Sequence, residues 1–547
     1  MNMEKKTFFY EVEPKYFMDG TGNGCGDLKG LSKKLDYFKY LGIDAIVLPN
    51  LLSAYSDDEE QGFKSVARTY GSITDFKKVL SNSKKLGINI LVEINIGSIK
   101  ETHKWFKNAL KNEETFAKIV DFQKQSNESM EGKTYKFNEK TKSYYLINEH
   151  TREVVLNWTS QETLDKFIEV AKFWIDLGVK GFTFTNFEQI DNNKNSGEIL
   201  TKETLNQLRK FYISIKEIDK NILVVGKSNT LHPSATKELA SGDSKIFDQT
   251  QLTGISMLGT SKQFGTDKIG SFSQKALVKQ ISKLAETNDN VLSFASSFVG
   301  RITSRWGDEK QYHAESAKAI ALMLLTSNTS SSIYYGDELG VKNIGLTHLD
   351  YFQDITLHER KRALANQKVS EKEFMDAQIL QNPINARSLM PWNSGENGGF
   401  SSADETITPN SQDFVNINVE TQFSDKHSPL NFYKTLIQFS KDPVFERIMN
   451  NGSYKISVQK FGAGVTHITR TLGDKNIHIF VNLSSKEKNI LFKKQGRVIL
   501  STYGDKRYID TPKSLLPFEG VVITSGFNFS KNSAPKEELK SEETQQD

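Results

Sequence analysis

Polar residues that could do chemistry stand at the ends of short apolar runs in this 547-residue chain. The run Gly178-Val-Lys-Gly-Phe-Thr-Phe-Thr-Asn186 alternates in period two after an amphipathic stretch, 164–177, so Thr183 and Thr185 share one face of a strand. Neither threonine has a base beside it in sequence, and a hydroxyl without one is a hydrogen-bonding group, not a nucleophile. In Leu91-Val-Glu-Ile-Asn95 the same alternation puts Glu93 and Asn95 on one side. Glu188 follows Thr185 by three residues, and Asp308 lies beyond Arg301. Isolated acids of this kind are far more often paired or solvated than catalytic. An internal ion pair is therefore expected for Glu93, and solvated or structural loop positions for Glu188 and Asp308.

The elements that must hold these residues repeat as strand, then helix. Residues 8–12 read as a strand, followed by a Gly-rich loop and a helix over 31–41; Gly42 closes that helix, and 43–48 is a nearly continuous apolar strand. A helix over 76–86, closed by Gly87, and a strand over 88–94 repeat the unit. Apolar strands alternating with Gly-terminated helices predict a parallel sheet covered on both faces. Further strands are predicted at 181–186, 222–226, 245–248, 291–296 and 332–335. Eight in one series point to an α/β fold of the closed (β/α)8 type, a TIM barrel, with a doubly wound sheet as the competing architecture.

Residues 97–160 break the repeat. They are polar and carry hairpin-like pieces at 134–137 and 142–147, which predicts a small β-rich subdomain inserted after the third strand. From residue 452 onward, short alternating strands such as 477–482 and 520–524 predict a C-terminal antiparallel β-sandwich over 452–530, leaving 1–96 and 161–451 for the barrel. Residues 531–547, rich in Lys, Glu, Ser and Gln, are expected to be disordered.

Composition narrows the partners. The net charge is +4, with 71 Lys and Arg interspersed among 67 Asp and Glu, which argues against a nucleic-acid partner. A single cysteine, Cys25, leaves no internal disulfide and fits a reducing compartment. The first residues do not resemble a signal peptide, and no run approaches the ~18 apolar residues of a membrane span. A cytoplasmic location without a membrane partner is expected.

Several segments, taken in order, resemble one family. They are Asp19-Gly-Thr-Gly-Asn-Gly-Cys-Gly-Asp-Leu-Lys-Gly30 with Leu35-Asp-Tyr-Phe-Lys-Tyr-Leu-Gly-Ile-Asp-Ala-Ile46, then Leu156-Asn-Trp158, Ser304-Arg-Trp-Gly-Asp308, Ile333-Tyr-Tyr-Gly-Asp-Glu-Leu-Gly340, Asn385-Ala-Arg-Ser-Leu-Met-Pro-Trp392 and Leu430-Asn-Phe-Tyr433. Similar motifs run in this order through glycoside hydrolase family 13, the α-amylase family, and in particular its oligo-1,6-glucosidase, dextran glucosidase and trehalose-6-phosphate hydrolase branch. The resemblance extends to about residue 527. It implies the barrel, the insertion after the third strand and the C-terminal β domain.

It also implies a retaining hydrolase with one ionised and one protonated carboxyl group, and there this sequence departs. The segment Gly178-Val-Lys-Gly-Phe182 resembles the start of the family's G-V-D-G-F-R-x-D, but Thr183 stands where the Arg would be and Thr185 where the nucleophilic Asp would be. Val225-Gly-Lys227 places a lysine at the acid/base Glu. Ser296-Ser-Phe-Val-Gly-Arg301 places Phe298 at the stabilising Asp and Ser297 at the preceding His. Ile96 follows Asn95 where a His would be, and Lys64 replaces the Asp of G-Y-D. Asn95 and Arg301 survive, and Arg387 resembles a residue of the pocket rim.

None of Thr185, Lys227 and Phe298 has the chemistry of a carboxyl group. The resemblance therefore implies a catalytically inactive pseudoenzyme that binds a carbohydrate, a sugar phosphate or a protein partner. The alternatives are an active α-glucosidase of the oligo-1,6-glucosidase or trehalose-6-phosphate hydrolase type, working in carbohydrate catabolism through displaced carboxylates, and a structural scaffold. Ligand contacts are expected from Lys64, Asn95, Lys227, Arg301 and Arg387. No cofactor is expected. Asp19, Asn23 and Asp27 occupy positions of the family's calcium ligands with one negative charge fewer, which implies a weak or empty site. Trp105, Trp158, Trp174, Trp306 and Trp392 are expected in packing roles. Cys25 is expected to be an unreactive loop residue.

Two geometric expectations follow. A lysine at position 227 points into the barrel mouth and must find an acid, Glu93 being the candidate, directly or through one water. With two lysines and no carboxylate among positions 64, 183, 185, 227 and 298, the mouth is expected to be formally +2 where the family holds −3, a field that would favour an anion.

Overall fold

The computed structural model describes residues 6–55, 62–125, 133–149, 151–190, 200–230, 232–287, 289–352, 354, 356–459, 464–492, 496–504 and 511–527. The tail 531–547, expected to be disordered, lies outside them. Eight parallel strands close a barrel: β1 (Phe8–Glu11), β2 (Ala45–Leu48), β3 (Asn89–Asn95), β4 (Gly181–Thr185), β5 (Leu223–Ser228), β6 (Gln249–Leu252), β7 (Asn290–Leu292) and β8 (Ser330–Tyr334), with β8 paired back to β1. Closure excludes the doubly wound sheet.

Local sequence sets where the strands begin. Ser72 and Asp75 form a capping box that opens the helix Ile73–Lys85, and Gly87, at φ 74°, turns the chain into β3. Ser160 caps the helix Gln161–Leu177 by accepting from Glu162 N, and Gly178, at φ 112°, ends it before β4. The predicted helix 31–41 is in fact two: Leu28–Lys33, capped by Asp27, and Leu35–Leu41. The sixth strand starts at Gln249 rather than at residue 245. Asp248 is the reason. Its buried carboxylate accepts from Val224 N (2.9 Å), Tyr212 Oη (2.7 Å) and Lys216 Nζ (2.5 Å), tying the chain to β5 before the ladder begins.

Inside the barrel, Phe9, Ala45, Val47, Leu91, Leu223, Val225 and Val291 form an apolar plug separate from the larger core between strands and helices. Strand parity then places the next inward positions, two residues along, at Glu11 on β1, Glu93 on β3 and Lys227 on β5. Tyr10, on the opposite face of β1, instead donates to Glu338 (2.7 Å).

Between β3 and β4 the chain forms a four-stranded antiparallel sheet from Ser98–Ile99, Val154–Val155, Ser143–Asn148 and Lys133–Asn138. Beyond the barrel, Ser453–Val458, Val465–Leu472, Lys475–Asn482, Gly520–Ser525 and Arg497–Ser501 make a five-stranded antiparallel sheet. It shares an apolar layer that includes Phe480, Ile490, Leu515 and Val521 with a two-stranded ribbon, Lys488–Asn489 and Ser514–Leu515. All five tryptophans are buried, as their packing role requires; the indole N–H of Trp158, for example, donates to Ile96 O (2.6 Å). Among the described residues no helix is long and apolar enough to cross a membrane.

Candidate functional site

A cavity of about 360 Å³ opens where the C-terminal ends of the strands meet, within the ~300–1,000 Å³ typical of small-ligand sites and at the end of the barrel where such sites lie. Its floor is ionic. Lys227 Nζ lies 2.7 Å from Glu11 Oε1 and 2.9 Å from Glu93 Oε2, all three side chains being nearly or largely buried. Burial works against the ammonium charge, but Glu11 and Glu93 outweigh it and hold the Lys227 pKa above its ordinary value. Burial raises the Glu93 carboxyl despite the lysine, with Glu11 adding to the effect, because two acids share one ammonium. Gly226 fixes the approach of β5, since a Cβ there would come within 2.3 Å of the Phe247 ring.

Across β3 to β6 the strand register aligns Asn95, Thr185, Lys227 and Gln251. Thr185, Lys227 and Phe298 all line the cavity, as do Asn95 and Arg387. Asn95 is tied into its own turn: Oδ1 accepts from Gly97 N (2.9 Å) and Ser98 N (3.1 Å), and Nδ2 donates to Ser98 Oγ (3.1 Å). Arg387 lies within electrostatic reach of Glu13; burial lowers the guanidinium pKa, and Glu13 together with Tyr16, Tyr334 and Tyr335 more than offsets it.

Two expected contacts are corrected. Lys64 does not line the cavity. Phe63 packs into the core against Trp105 and Phe167, so Lys64 is exposed and pairs with Glu169 (3.0 Å). Arg301 is also absent from the lining. It is buried, donating Nη1 to Tyr335 O (2.5 Å) and Nη2 to Ser388 Oγ (2.9 Å), with its guanidinium over the Tyr335 ring. Its planar donors fasten the end of β8 to the loop carrying Arg387.

The expected positive mouth is corrected as well. Glu11, Glu13, Glu93, Glu153 and Glu188 line the cavity against Lys100, Lys227 and Arg387, a formal charge of −2 when all are ionised. Glu11 was legible from its inward parity with Phe9 on β1, whereas Glu13 and Glu153 lie where the sequence carries no periodicity. Glu188, expected as a solvated or structural loop acid, stands on the one-turn helix Phe187–Gln189 just after β4 and lines the cavity. Its Oε1 accepts from Ser228 Oγ (2.8 Å) and Thr230 Oγ1 (3.1 Å), while Oε2 is buried without a partner among the described residues. Burial raises its pKa. Asp308 instead accepts from Lys310 N and Tyr312 N in its own turn.

These features sit in a recognisable frame. The family model "Alpha amylase, catalytic domain" matches residues 11–448. The chain belongs to the α-amylase family. The glucan 1,6-alpha-glucosidase of Streptococcus pneumoniae is 26% identical over 94% of this chain and 97% of its own length. The trehalose-6-phosphate hydrolase of Bacillus subtilis is 24% identical over 94% and 92% respectively. The crystal structure of Bacillus licheniformis trehalose-6-phosphate hydrolase, 22% identical, superposes with a TM-score of 0.85 over 95% of this chain and 99% of its own, a likeness of fold.

The α-amylase-family loop at 19–27 does not fit a divalent cation. Asp19 accepts from Thr21 N (2.9 Å), Gly22 N (2.7 Å), Gly24 N (2.8 Å) and Ser401 Oγ (2.6 Å). Asp27 accepts from Gly30 N and Thr21 Oγ1, Asn23 from Cys25 N, and Lys33 Nζ sits on Gly20 O. A cation needs those oxygens free. Among the described residues no cluster of three or more His, Cys, Asp or Glu is disposed to hold a metal. Burial raises the Cys25 thiol pKa, which disfavours a reactive thiolate.

Proposed function

We propose that this chain is a catalytically inactive member of the α-amylase family that binds a carbohydrate in the barrel-mouth cavity. The observation that carries the reading is the ionic floor: Lys227, at the position the family resemblance gives to the acid/base, is clamped between Glu11 and Glu93. Both carboxylates are thereby occupied, and neither is free to serve as a nucleophile or an acid. Thr185 and Phe298 supply no carboxyl at the other two positions, and retaining hydrolysis needs two placed about a scissile bond. The cavity is nonetheless intact, polar and of ligand size, and the names of the relatives point to glucosidic sugars. The lone, half-buried Cys25 supports a cytoplasmic location.

One observation favours a second reading. Burial raises the carboxyl pKa of Glu188, the direction a general acid requires. Glu188 would then protonate the departing glycosidic oxygen as a displaced acid while a water adds to the anomeric carbon and releases its proton to solvent. Assays on nitrophenyl α-glucoside, isomaltose and trehalose 6-phosphate separate the two readings. No turnover above the uncatalysed rate is expected. Turnover that disappears in Glu188→Gln would establish the displaced-acid enzyme and overturn the inactive one.

A further inference from the structure

We propose that the cavity selects a neutral sugar over its phosphorylated counterpart, with Phe298 as the stacking platform and Glu188 as the hydroxyl acceptor that set this specificity. The inference rests on the carbohydrate-binding reading and names the class of ligand.

Phe298 lines a polar cavity and is nevertheless 48% exposed. Among the described residues its ring pairs with no other aromatic ring, so an apolar face is left uncovered at the mouth. The C–H face of a pyranose is the complementary surface. The ring's electron-rich face attracts such positively polarised edges and repels an anion.

Glu188 supplies the second half. Its Oε1 is held by Ser228 and Thr230, which fixes the direction of Oε2, and Oε2 is buried without a partner among the described residues. A buried carboxylate oxygen in that state is costly, and a hydrogen-bond donor from a ligand relieves it. Sugar hydroxyls are donors; a phosphate dianion is not. Two of the three lining cations offer the phosphate little in return. Lys227 already faces two carboxylates and Arg387 lies within electrostatic reach of Glu13, so an arriving dianion meets a wall that is formally −2.

Calorimetric titration of the full chain with isomaltose, trehalose and trehalose 6-phosphate tests this. The neutral disaccharides are expected to bind at least about tenfold more tightly than the phosphate. Phe298→Ala and Phe298→Leu, the latter keeping bulk without the ring, should each weaken the neutral sugars by about 3- to 10-fold. Glu188→Gln should weaken them and narrow the gap to the phosphate. Equal or tighter binding of trehalose 6-phosphate, or unaltered affinity in both Phe298 variants, overturns this inference and leaves carbohydrate binding standing. Absence of binding by all three probes overturns both.

Discussion

The Gly-rich loop at 19–27 and the barrel mouth are both polar clusters at positions the family uses, and they have ended in opposite states. In the loop, Asp19, Asn23 and Asp27 accept hydrogen bonds from the loop's own backbone and hydroxyl donors. The mouth is closed at its floor, where Lys227 meets Glu11 and Glu93; above it one Glu188 oxygen and one face of Phe298 lack a partner among the described residues. A polar cluster satisfied from within serves the fold. One that leaves an acceptor and an apolar face open in a cavity is built for something that arrives from outside.

The comparison breaks most sharply at the floor. Lys227→Met leaves two carboxylates facing each other in a buried site, and removing one side of a buried ion pair typically costs about 3–5 kcal/mol. Urea unfolding at pH 7 should show a loss of that size, and adding Glu93→Gln should recover part of it. The loss should shrink at acid pH. Burial already raises the Glu93 carboxyl, so protonation relieves the repulsion sooner than in a free acid. A loss below about 1 kcal/mol would mean that the trio is not the ionic centre described.

Asp19→Ala tests the loop as a closed cluster. Four donors lose their acceptor, and a cost of about 2–3 kcal/mol is expected, with sugar affinity unchanged and no thermal shift on adding calcium to the wild type. Burial pushes the Asp19 pKa up, but Ser401, Gly24, Gly22 and Thr21 bring it below its ordinary value of 3.8. Its contribution is therefore present above that value and lost as pH falls through the folded pKa. The difference between wild type and Asp19→Ala should accordingly vanish in strong acid. Calcium-dependent stabilisation of the wild type would show that the loop is open after all.

How legible all this was in the sequence depends on periodicity. Seven of the barrel strands lie at or within three residues of their predicted starts because Gly-closed helices and apolar runs mark them. The eighth, β6, shifted because the buried Asp248 looks like a strand residue until its three donors are seen. Glu93 was readable as Lys227's partner through strand parity, and the contact is direct at 2.9 Å. Glu11 obeys the same parity, two residues after Phe9, at a position that none of the family motifs marks. Lys64 and Arg301 show the opposite limit. Occupying a family position says nothing about direction: Phe63 took the inward side at one, and carbonyl oxygens took the guanidinium at the other. Glu153 and Glu188 come from segments without periodicity, so only the folded chain brings them to the cavity.

The smallest expected effect concerns Glu188, and its sign is the informative part. Burial raises this carboxyl above its ordinary 4.5, with donors from its own backbone, Ser228 and Thr230 offsetting only part of the rise. A carboxyl raised in the folded state contributes its stability below the unfolded pKa and loses it as pH rises through the folded pKa, so at pH 7 the wild type carries a penalty that a neutral side chain avoids. Glu188→Gln should therefore be more stable than wild type at pH 7, on the order of 1 kcal/mol. The gain should fade as pH approaches 4.5. The same substitution should weaken sugar binding, so stability and affinity move in opposite directions, the signature of a residue kept for a ligand and not for the fold. Urea midpoints at both pH values, set beside the calorimetry, decide the matter. A Glu188→Gln variant that is less stable at pH 7 would place the carboxylate among the satisfied groups, and the mouth would then be as closed as the loop.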